Sequence, residues 1–193
     1  MSFEYPLTAQ SITLLNEGEP YIEPSASSAP TDYDFLLGRH SVHHKKLKER
    51  FNNCNEWIDI YGSKNTETIL AGIGNVEKHC LPGDDNVVEA ISLRLFNLST
   101  RLWSLYWADS TIGTIDPPLQ GSFKDDMGVF FGKDTFKGEE ILVQFQYDKT
   151  DAENPIWGKA FSKDKGVTWD GIGLCFLVRY NTQDFTLRAP ARL

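Results

Sequence analysis

Glu139-Glu140-Ile141-Leu142-Val143-Gln144-Phe145-Gln146-Tyr147 is the stretch that decides the fold. Ile141, Val143, Phe145 and Tyr147 fall on one side of it; Glu140, Leu142, Gln144 and Gln146 fall on the other. A period of two marks a β-strand, because successive side chains leave a pleated backbone on opposite faces. The same alternation recurs on both sides. Over residues 87–96, Val87, Glu89, Ile91, Leu93 and Leu95 oppose Val88, Ala90, Ser92, Arg94 and Phe96. Trp103, Leu105 and Trp107 share a face of residues 102–108, and Leu174, Phe176, Val178 and Tyr180 oppose Cys175, Leu177 and Arg179. Turn residues punctuate the runs at 82–86, 97–100, 116–118, 124–126 and Lys137-Gly138. Helix periodicity is almost absent. Short strands joined by tight turns predict an all-β fold, a single antiparallel up-and-down barrel of about nine or ten strands, since closure removes exposed sheet edges.

A chain of 193 residues is one domain's worth, and long enough to bury a core. Aromatic residues make up 12% of it, which favours strands and an aromatic-lined interior over a helical bundle. The formal net charge of -8 repels phosphate backbones and argues against a nucleic-acid partner. No apolar run is long enough to cross a bilayer as a helix, and the first fifteen residues do not read as a secretory signal. Cys54, Cys80 and Cys175 are odd in number and lack metal-ligand spacing; they read as reduced, mostly buried thiols of a cytoplasmic protein. Residues 1–31 read as a flexible or loosely packed extension. Pro24-Ser25-Ala26-Ser27-Ser28-Ala29-Pro30 has linker composition, and Ile12, Leu14 and Leu15 are available for a short helix or for packing on the body. Residues 32–193 carry the barrel pattern.

Two boxes sit near the ends of this β-rich stretch. In Asp34-Phe35-Leu36-Leu37-Gly38-Arg39-His40, the three apolar residues suit a plug at one barrel end, with Asp34 placed to cap its turn. Residues 39–51 then read as a strand running into a turn at Asn52-Asn53. The basic run Lys45-Lys46-Leu47-Lys48-Glu49-Arg50 reads as a solvated face or edge. In Ser162-Lys163-Asp164-Lys165-Gly166-Val167-Thr168-Trp169, the Asp side chain can bond turn amides, Gly166 supplies a positive φ, and Trp169 packs beneath. This second box resembles the Asp-box of sialidase-type propellers. Propellers repeat it, whereas this chain has it once, so it reads as a structural hairpin.

Residues 38–50 with Cys54-Asn55-Glu56-Trp57, Leu93-Arg94-Leu95-Phe96, Trp103-Ser104-Leu105-Tyr106-Trp107, Asp116-Pro117-Pro118, Gly121-Ser122-Phe123 and residues 160–169 together resemble an uncharacterised family of lipocalin-like proteins. The resemblance covers roughly residues 32–179 and implies a calycin-type barrel with an internal cavity; it implies no reaction. Two departures stand out. The family's first-strand Gly-x-Trp is Gly38-Arg39-His40 here, and its second Trp after the Asp-box is missing from Trp169-Asp170-Gly171-Ile172-Gly173. With first and last strands as neighbours, His40 and Gly173 are expected to mark one enlarged site. Arg179 is expected to stack on the first strand at the barrel base, as an arginine does in lipocalins.

The candidate chemistry follows from the polar and aromatic residues inside strand runs. His40, His43 and His44 invite a metal, but on a strand His43 faces away, and His40 and His44 stand about 13 Å apart at ~3.3 Å per residue. No metal or other cofactor is expected, and no histidine is singled out as a haem ligand. His40 and His44, with Glu89 or Glu56 as orienting carboxylate, suit acid–base catalysis. Trp57, Trp103, Trp107, Arg94 and Arg179 are the candidate ligand contacts, with Gln144 and Gln146 as further polar strand residues. Phosphate-loop, dinucleotide and nucleophile-elbow motifs are absent from the sequence. The leading expectation is a barrel that binds a small, largely apolar or aromatic molecule, with no membrane or nucleic-acid partner. The alternatives are a cofactor-independent isomerase, cyclase or lyase on the same scaffold, and a structural or homodimerising module using the Asp116-Pro117-Pro118 loop.

Overall fold

The computed structural model describes residues 12–15, 18–82 and 87–179. Ten antiparallel strands close into a barrel: β3 (Gly38–Leu47), β4 (Trp57–Ile69), β5 (Gly74–Pro82), β6 (Val87–Asn97), β7 (Leu102–Asp109), β8 (Leu119–Lys124), β9 (Met127–Phe136), β10 (Glu139–Asp148), β11 (Ile156–Ser162) and β12 (Asp170–Arg179). Each pairs with the next in sequence, and β12 returns to pair with β3, so Arg179 lies opposite His40 and Gly173 opposite Lys46. The expected up-and-down barrel is the observed one. Two further strands, β1 (Thr13–Leu14) and β2 (Pro20–Tyr21), form a separate two-stranded sheet. Glu19 between them is ion-paired with Lys133 at 2.8 Å, which ties this hairpin to β9.

Local chemistry explains the turns. Lys137 and Gly138 both have positive φ, the geometry that lets a two-residue hairpin follow the strand twist from β9 to β10. The Asp-box folds as its sequence dictates. The Asp164 carboxylate accepts from the Thr168 amide at 2.8 Å and the Thr168 hydroxyl at 2.6 Å, and the Ser162 hydroxyl accepts from the Gly166 amide. Gly166 takes the positive φ, and the Trp169 ring lies 5.9 Å from Phe131.

One end of the barrel is plugged by a short 3-10 turn, Asp34–Leu36. Phe35 and Leu36 are buried as expected, but the hub is Tyr33. Its ring meets Trp103, Phe123 and Tyr147 edge-on at 4.8, 5.0 and 5.2 Å, the arrangement aromatic quadrupoles favour. The plug's cap is Asp32, correcting the expectation for Asp34, which is exposed and makes no capping bond. The Asp32 carboxylate accepts from the Ser28 hydroxyl (2.7 Å), the Ala29 amide (2.9 Å) and Trp103 Nε1 (3.2 Å). The Pro24–Pro30 stretch is tied to the barrel: Arg101 donates to the carbonyls of Ala26 and Ser28, and Ser28 is fully buried.

Burial of the thiols is narrower than expected. All three cysteines are free, but only Cys175 is buried, while Cys80 is exposed. No described helix is long and apolar enough to cross a membrane.

Removing a buried acceptor leaves its donors unsatisfied, which costs about 1–3 kcal/mol. Asp32→Ala is therefore expected to lower the urea unfolding free energy by about that amount, and Asp34→Ala to change it by less than about 0.5 kcal/mol.

Candidate functional site in the barrel interior

The interior has two unlike walls. From β7 round to β11 the inward residues are mostly apolar, among them Leu105, Trp107, Leu119, Phe145, Tyr147, Trp157 and Phe161, and Phe145 stacks on Trp157 at 4.7 Å. From β4 to β6 the inward residues are Lys64 and Thr66, Asn75, Glu77 and His79, then Ser92 and Arg94. On these strands the usual pattern is inverted, with the polar side chains buried and Tyr61, Val87 and Ile91 exposed. Between the walls lies a cavity of about 430 Å³. It opens at the end opposite the Tyr33 plug, where Lys46, Arg50, Asp116, Pro117 and Asp134 line it.

Glu77 organises the polar wall. Its Oε2 accepts from Lys64 Nζ at 2.6 Å and from the Thr66 hydroxyl at 2.7 Å; its Oε1 accepts from Arg94 at 2.7 Å and lies 3.0 Å from His79 Nε2. Burial alone would raise the Glu77 pKa, but Arg94 and Lys64 outweigh it and hold the carboxyl well below the usual range. Burial also works against the charge of Arg94, and Glu77 reverses that. Arg94 further donates to Asn75 Oδ1 at 2.8 Å and to the Tyr147 hydroxyl at 3.2 Å, and its guanidinium lies 5.0 Å from the Tyr33 ring centroid. Burial pushes the Tyr147 phenol up to about 12. His79 Nε2 is also 3.0 Å from the Ser92 hydroxyl. The buried Nδ1 of His79 has no hydrogen-bond partner.

His44 lies on the inward face of β3, level with Ile60 and Cys175. Burial, then the nearby His79 and Lys64, lower its pKa from 6.5 to about 4. It is neutral at physiological pH, its Nε2 has no hydrogen-bond partner, and its ring meets Trp157 at 5.5 Å.

Of the residues expected from the sequence, His44, Arg94 and Trp107 line this cavity together. The others do not. His40 is wholly buried toward the plugged end, level with Lys64. Trp103 is packed into the plug and bonded to Asp32. Trp57 shares the outer face of β4 with Asp59 and Tyr61. Glu89 is exposed on the outer face of β6, and Glu56 is exposed and paired with Lys48. The backbone of Arg179 pairs with His40, and its side chain lies outside the described residues. The expectation that His40 and Gly173 mark one site is overturned. Gly173 pairs with Lys46, six residues along β3 from His40, or ~20 Å at strand rise. Gly173 does line the cavity. His43 points outward as expected, against Asp59 and Tyr61. Gln144 and Gln146 share the outer face with Leu142, yet both are buried. Asp116 and Pro117 line the cavity mouth. Among the described residues no group of three or more His, Cys, Asp or Glu is placed to hold a metal.

Sequence reading missed Lys64, Glu77, Phe145 and Lys159 as residues that line the interior. Asn75-Val76-Glu77-Lys78-His79 holds a single apolar residue, so nothing in it marks the Glu77 face as an inside one.

No family model and no curated protein matches the chain.

Two outcomes test this wall. Glu77→Gln strands two buried cations and is expected to cost about 3–5 kcal/mol in urea unfolding, part of it recovered by adding Lys64→Met. His44 binds its proton at a lower pH folded than unfolded. Between pH 6.5 and about 4 the unfolded chain therefore holds a proton that the folded chain lacks. Its contribution to stability is intact above pH 6.5 and is lost as pH falls toward 4, by up to roughly 3 kcal/mol. His44→Gln is expected to flatten that limb in melts recorded from pH 7.5 to 4.5.

Proposed function

We propose that the barrel binds a small, largely apolar or aromatic molecule in its interior. The observation that carries this reading is the cavity of about 430 Å³ between an aromatic wall and a polar one, within the size range of small-molecule sites. A flat ligand lies against Trp107, Phe145 and Trp157, and its polar atoms meet the β4–β6 side. Membership of the lipocalin-like family belongs to the same proposal and rests on the sequence resemblance together with the ten-stranded barrel.

A second reading, turnover of such a molecule by a cofactor-independent isomerase, cyclase or lyase, draws on His44. This histidine is neutral, sits at the cavity wall and has an unpartnered Nε2. Its lowered pKa makes it a much weaker base than free imidazole, which is why binding is the first reading.

N-phenyl-1-naphthylamine, a neutral fluorescent aromatic amine, is expected to bind saturably with one site per chain. Trp107→Ala is expected to weaken it by about tenfold, the loss of one aromatic contact. Gly173→Leu is expected to block binding while the fold survives, because a Cβ at Gly173 meets only the Lys45 carbonyl at 3.9 Å. Titration without saturation would overturn the reading. Loss of product formation in His44→Gln, with binding retained, would favour the enzyme.

A further inference from the structure

Lys159 has no role in the organisation described so far. It lies on the inward face of β11, directly across from Phe145 on β10 and from Gly173 on β12. Gly173 brings no side chain, so space is left beside the lysine stem. Among the described residues no ion pair or hydrogen bond holds its ammonium, which sits 5.2 Å from the Phe161 ring centroid. Burial pushes its pKa down, Asp134 and Asp116 push it up, and Arg50 and Lys46 push it down again.

Its setting, partly buried at the cavity wall, contrasts with that of the two buried cations. Arg94 and Lys64 share Glu77 as a contacting counter-ion. At the cavity's edge, Lys45 is bound to Asp59 and Lys133 to Glu19. Lys46, Arg50, Arg94 and Lys159 line the cavity against Glu77, Asp116 and Asp134, so cations outnumber acids there although the whole chain carries -8. A lysine without a counter-ion in a desolvated place costs stability that an apolar side chain of similar length would not. A ligand anion would supply the missing partner. Asp116 and Asp134 nearby oppose a highly charged one, so the fitting group carries a single negative charge.

Resting on the binding reading above, we infer that the barrel's ligand is an aromatic acid, held by an ion pair between its carboxylate and Lys159 while its ring lies against Phe145, Trp157 and Trp107. Lys159 is then the specificity-determining residue that separates acids from neutral molecules of the same shape. The apolar wall supplies contact area but no charge discrimination.

The test uses the full chain and two matched probes, naphthalene-2-carboxylate and naphthalene-2-carboxamide, titrated calorimetrically at pH 7.5. The carboxylate is expected to bind at least about tenfold more tightly, the scale of a close interfacial charge pair. Lys159→Met is expected to abolish that preference, bringing the two affinities together, and Lys159→Arg to retain it. Lys159→Gln gives the same readout if the Met variant does not fold. Equal affinities in the wild type, or a preference that survives in Lys159→Met, would overturn the inference and leave the binding reading standing. Failure of both probes to bind would remove the binding reading itself.

Discussion

Glu77 holds a carboxylate on the inside of a closed barrel, and the polar half of the molecule is arranged around keeping it there. Its two oxygens face four partners drawn from three adjacent strands: Lys64 and Thr66 on β4, His79 on β5 and Arg94 on β6. A lone buried carboxylate would take up a proton or draw in water. With two cations in contact it stays ionised, and the cations in turn depend on it. Arg94 passes the constraint on, since it reaches Tyr147 on β10 across the interior and lies over the Tyr33 ring. The buried charge cluster and the aromatic plug are thus one connected structure.

That connection divides the barrel along its axis. The plugged end is filled: Tyr33, Phe35, Leu36, Trp103, Phe123 and Phe130 pack there into a continuous apolar cluster. The opposite end has fewer large residues facing inward. Gly173 on β12 lies across from Lys46 and Lys159, where a larger residue would occupy the cavity. A second apolar cluster of Ile141, Val143, Phe161 and Ile172 supports the β10–β12 side of that end. The filled end carries the packing, and the Glu77–Arg94 cluster joins it to the wall of the open end.

Strand content and turn positions were legible because each has a local cause, and closure followed from the number of strands, whose edges it removes. Alternation placed β6, β7, β10 and β12; Lys137-Gly138 and the Asp-box placed their hairpins; and Phe35-Leu36 announced a plug. The site was legible only in part. Trp107 and Arg94 stood out as an indole and a charge within strand runs. Lys64, Glu77 and His79 did not, because a polar face on a strand reads as a solvated one. Trp57 and Trp103 failed as ligand contacts for the converse reason: an indole serves equally well on an outer face or in a packed plug.

Period-two patterning and turn chemistry dictate an antiparallel barrel of about nine or ten strands, since they act over a few residues and need no knowledge of the remainder. Only the tertiary structure decided which face of each strand is inside. On β4 to β6 the inside is the polar face, because Glu77, Lys64 and Arg94 satisfy one another across strands that are 13 and 17 residues apart in sequence. The same long-range register put His44 and Lys159 in the cavity and left His40 in the packed end. A period of two says that neighbouring side chains point opposite ways; the direction of the interior is a property of the closed barrel as a whole.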